Sequence, residues 1–358
     1  MKIRNLLLYI SIGSAAPAMA QHARIVVQHA GTVQVFDNLS AAITAAPPNA
    51  DLYLSGGSFE VPPGFALSKT LHLTGAGMHP DSSGATGVTI ITNATGSDCF
   101  RLMSSASGSS FTGIWFNMST SPSFQLGIGP EDQAVQSIEF NRCRFQQNVN
   151  LGVVDTANGS AQFVECIFHG QVNGFGSTGH FSRCIFDWVP SISTGTINVF
   201  RPNGLFLSNC VILGGFVGNC KQASIANCVF TRQNGAPFWQ GSYSSISNCL
   251  VGYSDLTSNT DTTTMTFANN ITGVVLGSFF QDEADDTYQF TDNLRLQGNS
   301  AGVGAGTDGN DIGIYGTDNP YKDGAKPHTP HYRRVMIAPG TDASGNLPVQ
   351  VKVTAEGE

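Results

Sequence analysis

Charge and long apolar runs are what this 358-residue sequence has least of. Only 12% of its residues are charged, and Lys plus Arg number 17 against 25 Asp plus Glu, a formal net charge of −8. That balance argues against a broad nucleic-acid-binding surface, and no nucleic-acid partner is expected. With 41% hydrophobic residues the chain still has material for a large core, so it is not of the disordered class. No apolar run approaches the ~20 residues that a membrane-spanning helix needs, so no transmembrane segment is expected. Close cysteine pairs and Cys-His clusters of the metal-site kind are missing. No Gly-Lys-Ser/Thr follows the glycine-rich stretches, which removes the phosphate-loop reading.

The one notable apolar stretch, Leu6 to Ile12, is short and lies at the start. Lys2 and Arg4 precede it, and Ala18-Met19-Ala20 offers a small-residue cleavage site before Gln21. Residues 1–20 therefore read as a secretory signal of the short bacterial kind. No cysteine stands at the cleavage point, so no lipid anchor is expected. The expected location is secreted, periplasmic or cell-surface. Glycine stands at 41 residues, which with abundant Ser, Thr and Asn favours a turn-rich β protein.

The middle of the chain repeats. The unit is apolar residue, any residue, turn residue, Cys, any residue, apolar residue. It runs through Phe140–Phe145, Phe163–Phe168, Phe181–Phe186, Leu207–Ile212, Ile225–Phe230 and Ile246–Val251, with Cys143, Cys166, Cys184, Cys210, Cys228 and Cys249 in one slot. Phe111–Phe116 is an earlier copy with Ile114 in the Cys slot, and Phe267–Thr272 is a degenerate later one. The spacing between copies varies, which predicts constant strands joined by variable loops. Cys and the following apolar residue share one strand face. The leading apolar residue is one position out of phase, so the chain must bend at the turn residue. Asn209, Asn227 and Asn248 occupy that position in three consecutive units, and Asn tolerates the left-handed conformation. Stacked coils would line up ladders of Phe/Ile, Asn and Cys and bury a continuous core.

Six of the eight cysteines are explained by this stacking, so buried thiols are predicted. An exported chain also admits disulfides, though in-register neighbours seldom have the bond geometry. Cys99 and Cys220 fall outside the ladder.

These units resemble the right-handed parallel β-helix of the pectate-lyase-like superfamily, over roughly residues 30–300. The expected fold is all-β: a right-handed parallel β-helix solenoid with an N-terminal capping helix. The segment Ala41–Ala46, ended by Pro47-Pro48, and the alternating stretches Asp51–Gly57 and Leu71–Gly77 match such a cap. The expected division is a signal over 1–20, the β-helix with its cap over 21–300, and an irregular Gly/Asp-rich segment with a strand pair over 301–358.

The resemblance implies that ligands lie along the first strand of each coil and its flanking loops. Counting back from the ladder units places Arg201, Asn219 and Gln240 there, with Asp155, Asn198, Lys221, Trp239 and Tyr243 nearby and Trp188 in a neighbouring loop. Aromatic faces with amides and charges suit sugar rings, so Trp188, Asn198, Asn219, Trp239, Gln240 and Tyr243 are candidate substrate-binding residues. A solvated sheet face with scattered aromatics is the plainer alternative. The preferred function is non-catalytic binding of a polysaccharide or cell-surface glycan by a monomer. The alternative is a polysaccharide lyase or glycoside hydrolase acting on an acidic polysaccharide, with Arg201 or Lys221 as catalytic candidates. A third alternative is a purely structural rod. Against the enzyme stand the isolated Asp155 and Asp187, where lyases of this type carry clustered calcium-binding carboxylates. Gly179-His180-Phe181 is only a partial echo of the polygalacturonase signature.

In the tail, Gly306–Gly316 is similar to a segment near the end of many secreted β-helix proteins. Asp308 and Asp311 are oxygen ligands of the kind Ca²⁺ takes, but an ordinary turn role is preferred for them. Asp285-Asp286 reads as loop. Val335–Ile337 and Val349–Val353 read as a terminal hairpin.

Overall fold

The computed structural model describes residues 23–62, 64–79, 87–93, 100–118, 126–128, 134–153, 158–189, 195–258, 260–283, 285–322, 331–337, 341–342 and 344–354. The expected signal over 1–20, Cys99 and Asp155 lie outside the described residues.

Each repeat unit makes two short strands with a corner between them. The leading apolar residue lies in one sheet and the trailing one in the next. Phe140, for example, belongs to Ile138–Asn141 and Phe145 to Arg144–Phe145. Between them Arg142 adopts φ 52°. The same left-handed residue recurs as Gly113, Glu165, Arg183, Asn209, Asn227, Asn248 and Asn269, with φ between 50° and 65°. A single residue of this conformation swings the chain so that side chains on both arms point inward. The predicted bend is therefore present in every copy, and in three of them Arg or Glu replaces Asn.

Coil upon coil, these strands build three long sheets, an arrangement consistent with a parallel β-helix. Sheet A has 12 strands, running parallel from Ala50–Leu54 to Thr266–Ala268, with Ile25–His29 and Thr32–Phe36 added antiparallel at its start. Sheet B has nine strands, Gly57–Val61 to Leu250–Val251, and sheet C has eight, Ala66–Leu67 to Phe238–Trp239. A helix, Leu39–Ala45, begins at Asn38, whose side chain accepts from the Ala41 N–H. It buries Leu39, Ala42 and Ile43 in the same core as the first coils.

Register turns the repeat into columns. Phe111, Phe140, Phe163 and Phe181 stack from sheet A at 4.9–5.0 Å between ring centres. Phe116, Phe145, Phe168 and Phe186 stack from sheet B at 4.8–5.3 Å. The two columns meet edge to face, as at Phe140 and Phe145 (82°). Such pairs add about 0.5–1.5 kcal/mol each beyond the area they bury. Next to them runs the cysteine column. The seven described cysteines are free and buried. Most ladder thiols lie 3.4–3.5 Å from a carbonyl of the preceding coil, such as Cys166 to Phe140 and Cys184 to Phe163. Burial pushes the Cys166, Cys184 and Cys228 thiols well up, and takes Cys220 up to about 12. In the degenerate last copy Asn270 fills the cysteine slot, accepting from the Cys249 N–H and donating to the Ile246 carbonyl.

The charged corners form a triad centred on buried Glu165. Glu165 Oε2 accepts from Arg142 Nε at 2.9 Å and Oε1 from Arg183 at 3.2 Å. The Arg142 and Glu165 side chains are only 2% and 3% exposed. The register that stacks the corners brings opposite charges together, offsetting the strain of three side chains held at positive φ.

From Ile167–Phe168 to Leu250–Val251, sheet B is buried on both faces. Its outward residues Ile167, Ile185, Val211, Val229 and Leu250 form a second core with Phe279, Phe280, Tyr288, Leu294, Leu296, Ile312, Ile314 and Tyr321. The Gly/Asp-rich tail is thus a strap lying along the coils. Its first part pairs Phe280–Asp282 antiparallel with Asn293–Leu296. Its second part is tied to the corner amides. Asn248 donates to the Ala305 carbonyl, Asn227 exchanges two bonds of 2.9 Å with Thr307, and Asn209 donates to the Gly313 and Gly316 carbonyls. Gly313 lies at φ +101°, where a Cβ would come within 3.2 Å of Val229. The terminal hairpin is present as His331–Ile337 antiparallel to Val349–Thr354.

The thiols should be unreactive to an aromatic disulfide reagent in the folded protein and titrate fully once it is denatured without reductant. Six or more cysteines missing from that titration would mean disulfides and would sink the stacking argument. Asn227→Gly keeps the left-handed corner but removes the amide. It is expected to loosen the strap by about 1–3 kcal/mol, read as faster limited proteolysis within residues 300–316, with the coil's far-UV spectrum unchanged.

Candidate functional site

The corner between sheets C and A is built differently from that between A and B. It uses two left-handed residues per coil. The first is Val199, Asn219 or Gln240, and the second is Asn203, Gln222 or Tyr243, all with φ of 51–57°. Coil-to-coil backbone bonds hold them in step: Asn219 N–H to the Trp239 carbonyl (2.9 Å), Asn203 N–H to Lys221 (3.1 Å) and Gln222 N–H to Ser242 (2.9 Å). Two such kinks throw the corner side chains outward. Arg201, Lys221, Gln240 and Tyr243 are exposed, Tyr243 by 63%. Arg201 also donates to the Asn158 side chain at 2.9 Å.

Beside this ridge runs the outward face of sheet C, a row of amides. Asn173 donates to Asn150 (2.9 Å), and Asn219 donates to Asn198 (2.8 Å). Asn150, Asn173 and Asn198 are buried. Asn173 answers Asn150 and Asn219 answers Asn198, which is why three buried Asn are tolerated. Gly218 continues the row because a Cβ there would stand 3.0 Å from the Asn198 Oδ1. Half-buried Trp239, paired in register with Gly218, ends it.

Six of the residues singled out from sequence therefore gather on one corner over three coils: Arg201, Asn219, Lys221, Trp239, Gln240 and Tyr243. Two do not present themselves there. Asn198 lies beneath, buried and spent on Asn219. Trp188 follows the sheet B strand Ile185–Phe186, at the opposite edge of sheet C, and its carbonyl accepts from the Thr196 hydroxyl. His180 stands on the outer face of sheet A, stacked on Phe206 at 4.3 Å, and burial pushes its pKa down.

In the tail, Asp308 accepts from the Asn310 backbone and side chain and Asp311 from the Gly304 N–H, so both close turns of the strap. Among the described residues no group of three or more His, Cys, Asp or Glu is placed to hold a metal ion. Among them also, no helix is long and apolar enough to cross a membrane.

Asp187 is not isolated. It accepts from His169 Nδ1 at 2.6 Å and from the Tyr288 N–H of the strap at 3.2 Å. His169 Nε2 in turn accepts from Arg144 Nε at 2.9 Å, which assigns the ring proton to Nδ1. The Arg144 guanidinium lies over Trp115 (4.5 Å) and Phe290 (5.0 Å). This relay clamps the outer turn of the strap to sheet B. Its signal was in the repeat: Phe168 pairs with Phe186, so His169 and Asp187 fall side by side. Asp286 accepts from Thr231 on the same edge, so Asp285-Asp286 is a docked turn.

The same turn holds Glu283, whose carboxyl is pushed up to about 7 by burial and by the neighbouring Asp292 and Asp285, against the pull of two backbone N–H bonds. A carboxyl whose folded pKa is raised favours the folded state while protonated. That contribution is complete below about 4.5 and is lost as pH rises through about 7. Strap docking should therefore weaken between pH 5 and pH 8, read as proteolysis within residues 283–296. Glu283→Gln should flatten the profile, and an unchanged profile in that variant would assign the effect elsewhere. No protein-family model matches the chain, and no curated protein matches it.

Proposed function

We propose that this is an exported, monomeric bacterial protein of the pectate-lyase-like kind. In this reading the solenoid is right-handed, the helix Leu39–Ala45 caps its start, and the protein binds a polysaccharide or cell-surface glycan without cleaving it. The observation that carries the reading is the ridge between sheets C and A, with Arg201, Lys221, Gln240 and Tyr243 exposed on successive coils beside half-buried Trp239. Neighbouring parallel strands are about 4.8 Å apart, close to the advance of one pyranose ring along a glycan chain. A polysaccharide laid along the coil axis would meet a fresh set of groups at each ring. Aromatic faces take the C–H face of a sugar, and amides and cations take its hydroxyls and carboxylates. The two cations favour an acidic chain over a neutral one.

The test is affinity electrophoresis or calorimetry against a panel of acidic and neutral polysaccharides, with products monitored in the same samples. Binding to an acidic glycan should weaken as salt rises, and Trp239→Ala with Tyr243→Ala should reduce it about tenfold or more. Unsaturated or reducing-end products that vanish with Arg201→Ala or Lys221→Ala would make the protein a polysaccharide lyase or hydrolase instead. Neither binding nor products would leave a structural rod.

A further inference from the structure

The sequence contains four Asn-Gly pairs, beginning at Asn158, Asn173, Asn203 and Asn234. In such a pair the backbone nitrogen of the glycine can attack the side-chain amide before it, provided that nitrogen is free. Three of the four are locked. The Gly159 N–H donates to the Ser177 hydroxyl (3.0 Å), the Gly174 N–H to the Asn198 carbonyl (2.9 Å) and the Gly204 N–H to the Arg201 carbonyl (2.9 Å). Asn173 is also buried, with its amide donating to Asn150. Asn234-Gly235 is different. It forms a bend between the sheet B strand Val229–Phe230 and the sheet C strand Phe238–Trp239, and Asn234 is exposed. The chain is pinned on both sides of it. Gln233 donates to the Thr231 and Val274 carbonyls at 2.8 and 3.0 Å, and the Pro237 carbonyl accepts from the Val217 N–H at 2.9 Å. Among the described residues the Gly235 N–H has no hydrogen-bond acceptor.

A cation lies against this pair. A Cβ placed on Gly235 would stand 3.0 Å from an Arg232 Nη and 3.1 Å from its Nε. The guanidinium stacks on Phe216 at 4.5 Å, and its Nε is buried without a hydrogen-bond partner. Among the described residues no carboxylate is paired with it. Nothing in the glycan reading uses these residues.

We propose that Asn234 is a self-modification site: the folded protein converts this asparagine to aspartate and isoaspartate, with Arg232 promoting the reaction and water as the co-reactant. The Gly235 nitrogen gives its proton to solvent base and attacks Asn234 Cγ. The N–Cγ bond forms, the Cγ–Nδ2 bond breaks, and the amide nitrogen takes up a proton and leaves as ammonia. Water then adds to one of the two carbonyls of the cyclic imide and opens it to aspartate or isoaspartate. Nothing is oxidised or reduced. Glycine suits the step because it has no side chain to crowd ring closure and its backbone is the most permissive. The Arg232 charge favours the deprotonated nitrogen and the oxyanion that follows its attack. The new carboxylate arises in a loop whose cation had no counter-charge.

Peptide mapping by mass spectrometry decides it, on the full chain held for days at mildly alkaline pH, folded or unfolded in urea. In the folded protein Asn234 should lose its amide while Asn158, Asn173 and Asn203 keep theirs. In urea all four should react alike. Arg232→Gln should slow the reaction at Asn234 about two- to fivefold in the folded protein, the size of one exposed charge interaction, and leave it unchanged in urea. Gly235→Ala should nearly abolish it, since the methyl crowds the attacking nitrogen, and the fold should accept it because the atoms it meets are the flexible end of Arg232. Unshifted melting midpoints in both variants keep a loosened fold out of the result. Asn234 intact in the folded protein, reaction of all four pairs at one rate there, or an unchanged rate in Arg232→Gln would each overturn the proposal. The readout is peptide mass, so it does not depend on whether the ridge binds a glycan.

Discussion

One left-handed residue per coil from Phe111 on, at the corner between sheets A and B, is the constraint on which the other features rest. It is the point where two strand directions meet with the core side chains on both arms still facing inward. Because it recurs at the same place in each coil, the phenylalanines before and after it and the cysteine beside it inherit the period. The conformation costs about 1–2 kcal/mol for an ordinary L-residue, and the chain meets that cost in three ways. Gly113 has no side chain to strain. Asn209, Asn227, Asn248 and Asn269 are of the residue type that tolerates it best. Arg142, Glu165 and Arg183 offset it with an ion triad centred on the buried Glu165 carboxylate.

The same position then acquires a second use. Wherever Asn stands at the corner under the strap, its amide reaches outward to the strap's backbone or to Thr307. Backbone tolerance and side-chain chemistry are thus supplied by one residue type. The strap covers a face that could not be left to water. Sheet B presents apolar pairs such as Ile167-Phe168, Ile185-Phe186 and Val229-Phe230, with one member in each core. A strand buried on both faces reads as a continuous apolar run.

How much of this could be read in advance depended on the range of the interaction. The coil unit, its bend, the buried thiols and the terminal hairpin were legible because each is encoded within a few residues and then repeated. The corner ridge was legible by counting back from the cysteines. Asn198 lies beneath the ridge with its amide oxygen bonded to Asn219 on the next coil, which composition does not reveal. Trp188 is near the ridge along the chain, but the sheet C strand Ile197–Asn198 separates it from the ridge in space. The strap was hidden for a different reason. Its bonds from the coil to residues 286–316 span 55 to 107 residues, and its Gly, Asp and Thr composition is that of a loop. The clue lay on the other side of the contact, in the apolar doublets of sheet B, whose outward members needed a partner. The Arg144–His169–Asp187 relay was likewise visible only through register.

The strap also alters how the molecule would carry a load. An array of stacked coils ordinarily peels from its end, one rung at a time, because each rung holds only its neighbours. Here the chain leaves the last coil and runs back along the outside, and by Tyr321 it lies close to Glu165 at the middle of the stack. Tension applied at the C-terminal hairpin is delivered to the central rungs first. It acts along a seam of amide bonds and apolar contacts spread over several coils, which have to shear together before the terminal rung can open. The Gly-rich tail thereby makes the weak end of the solenoid the sheltered one.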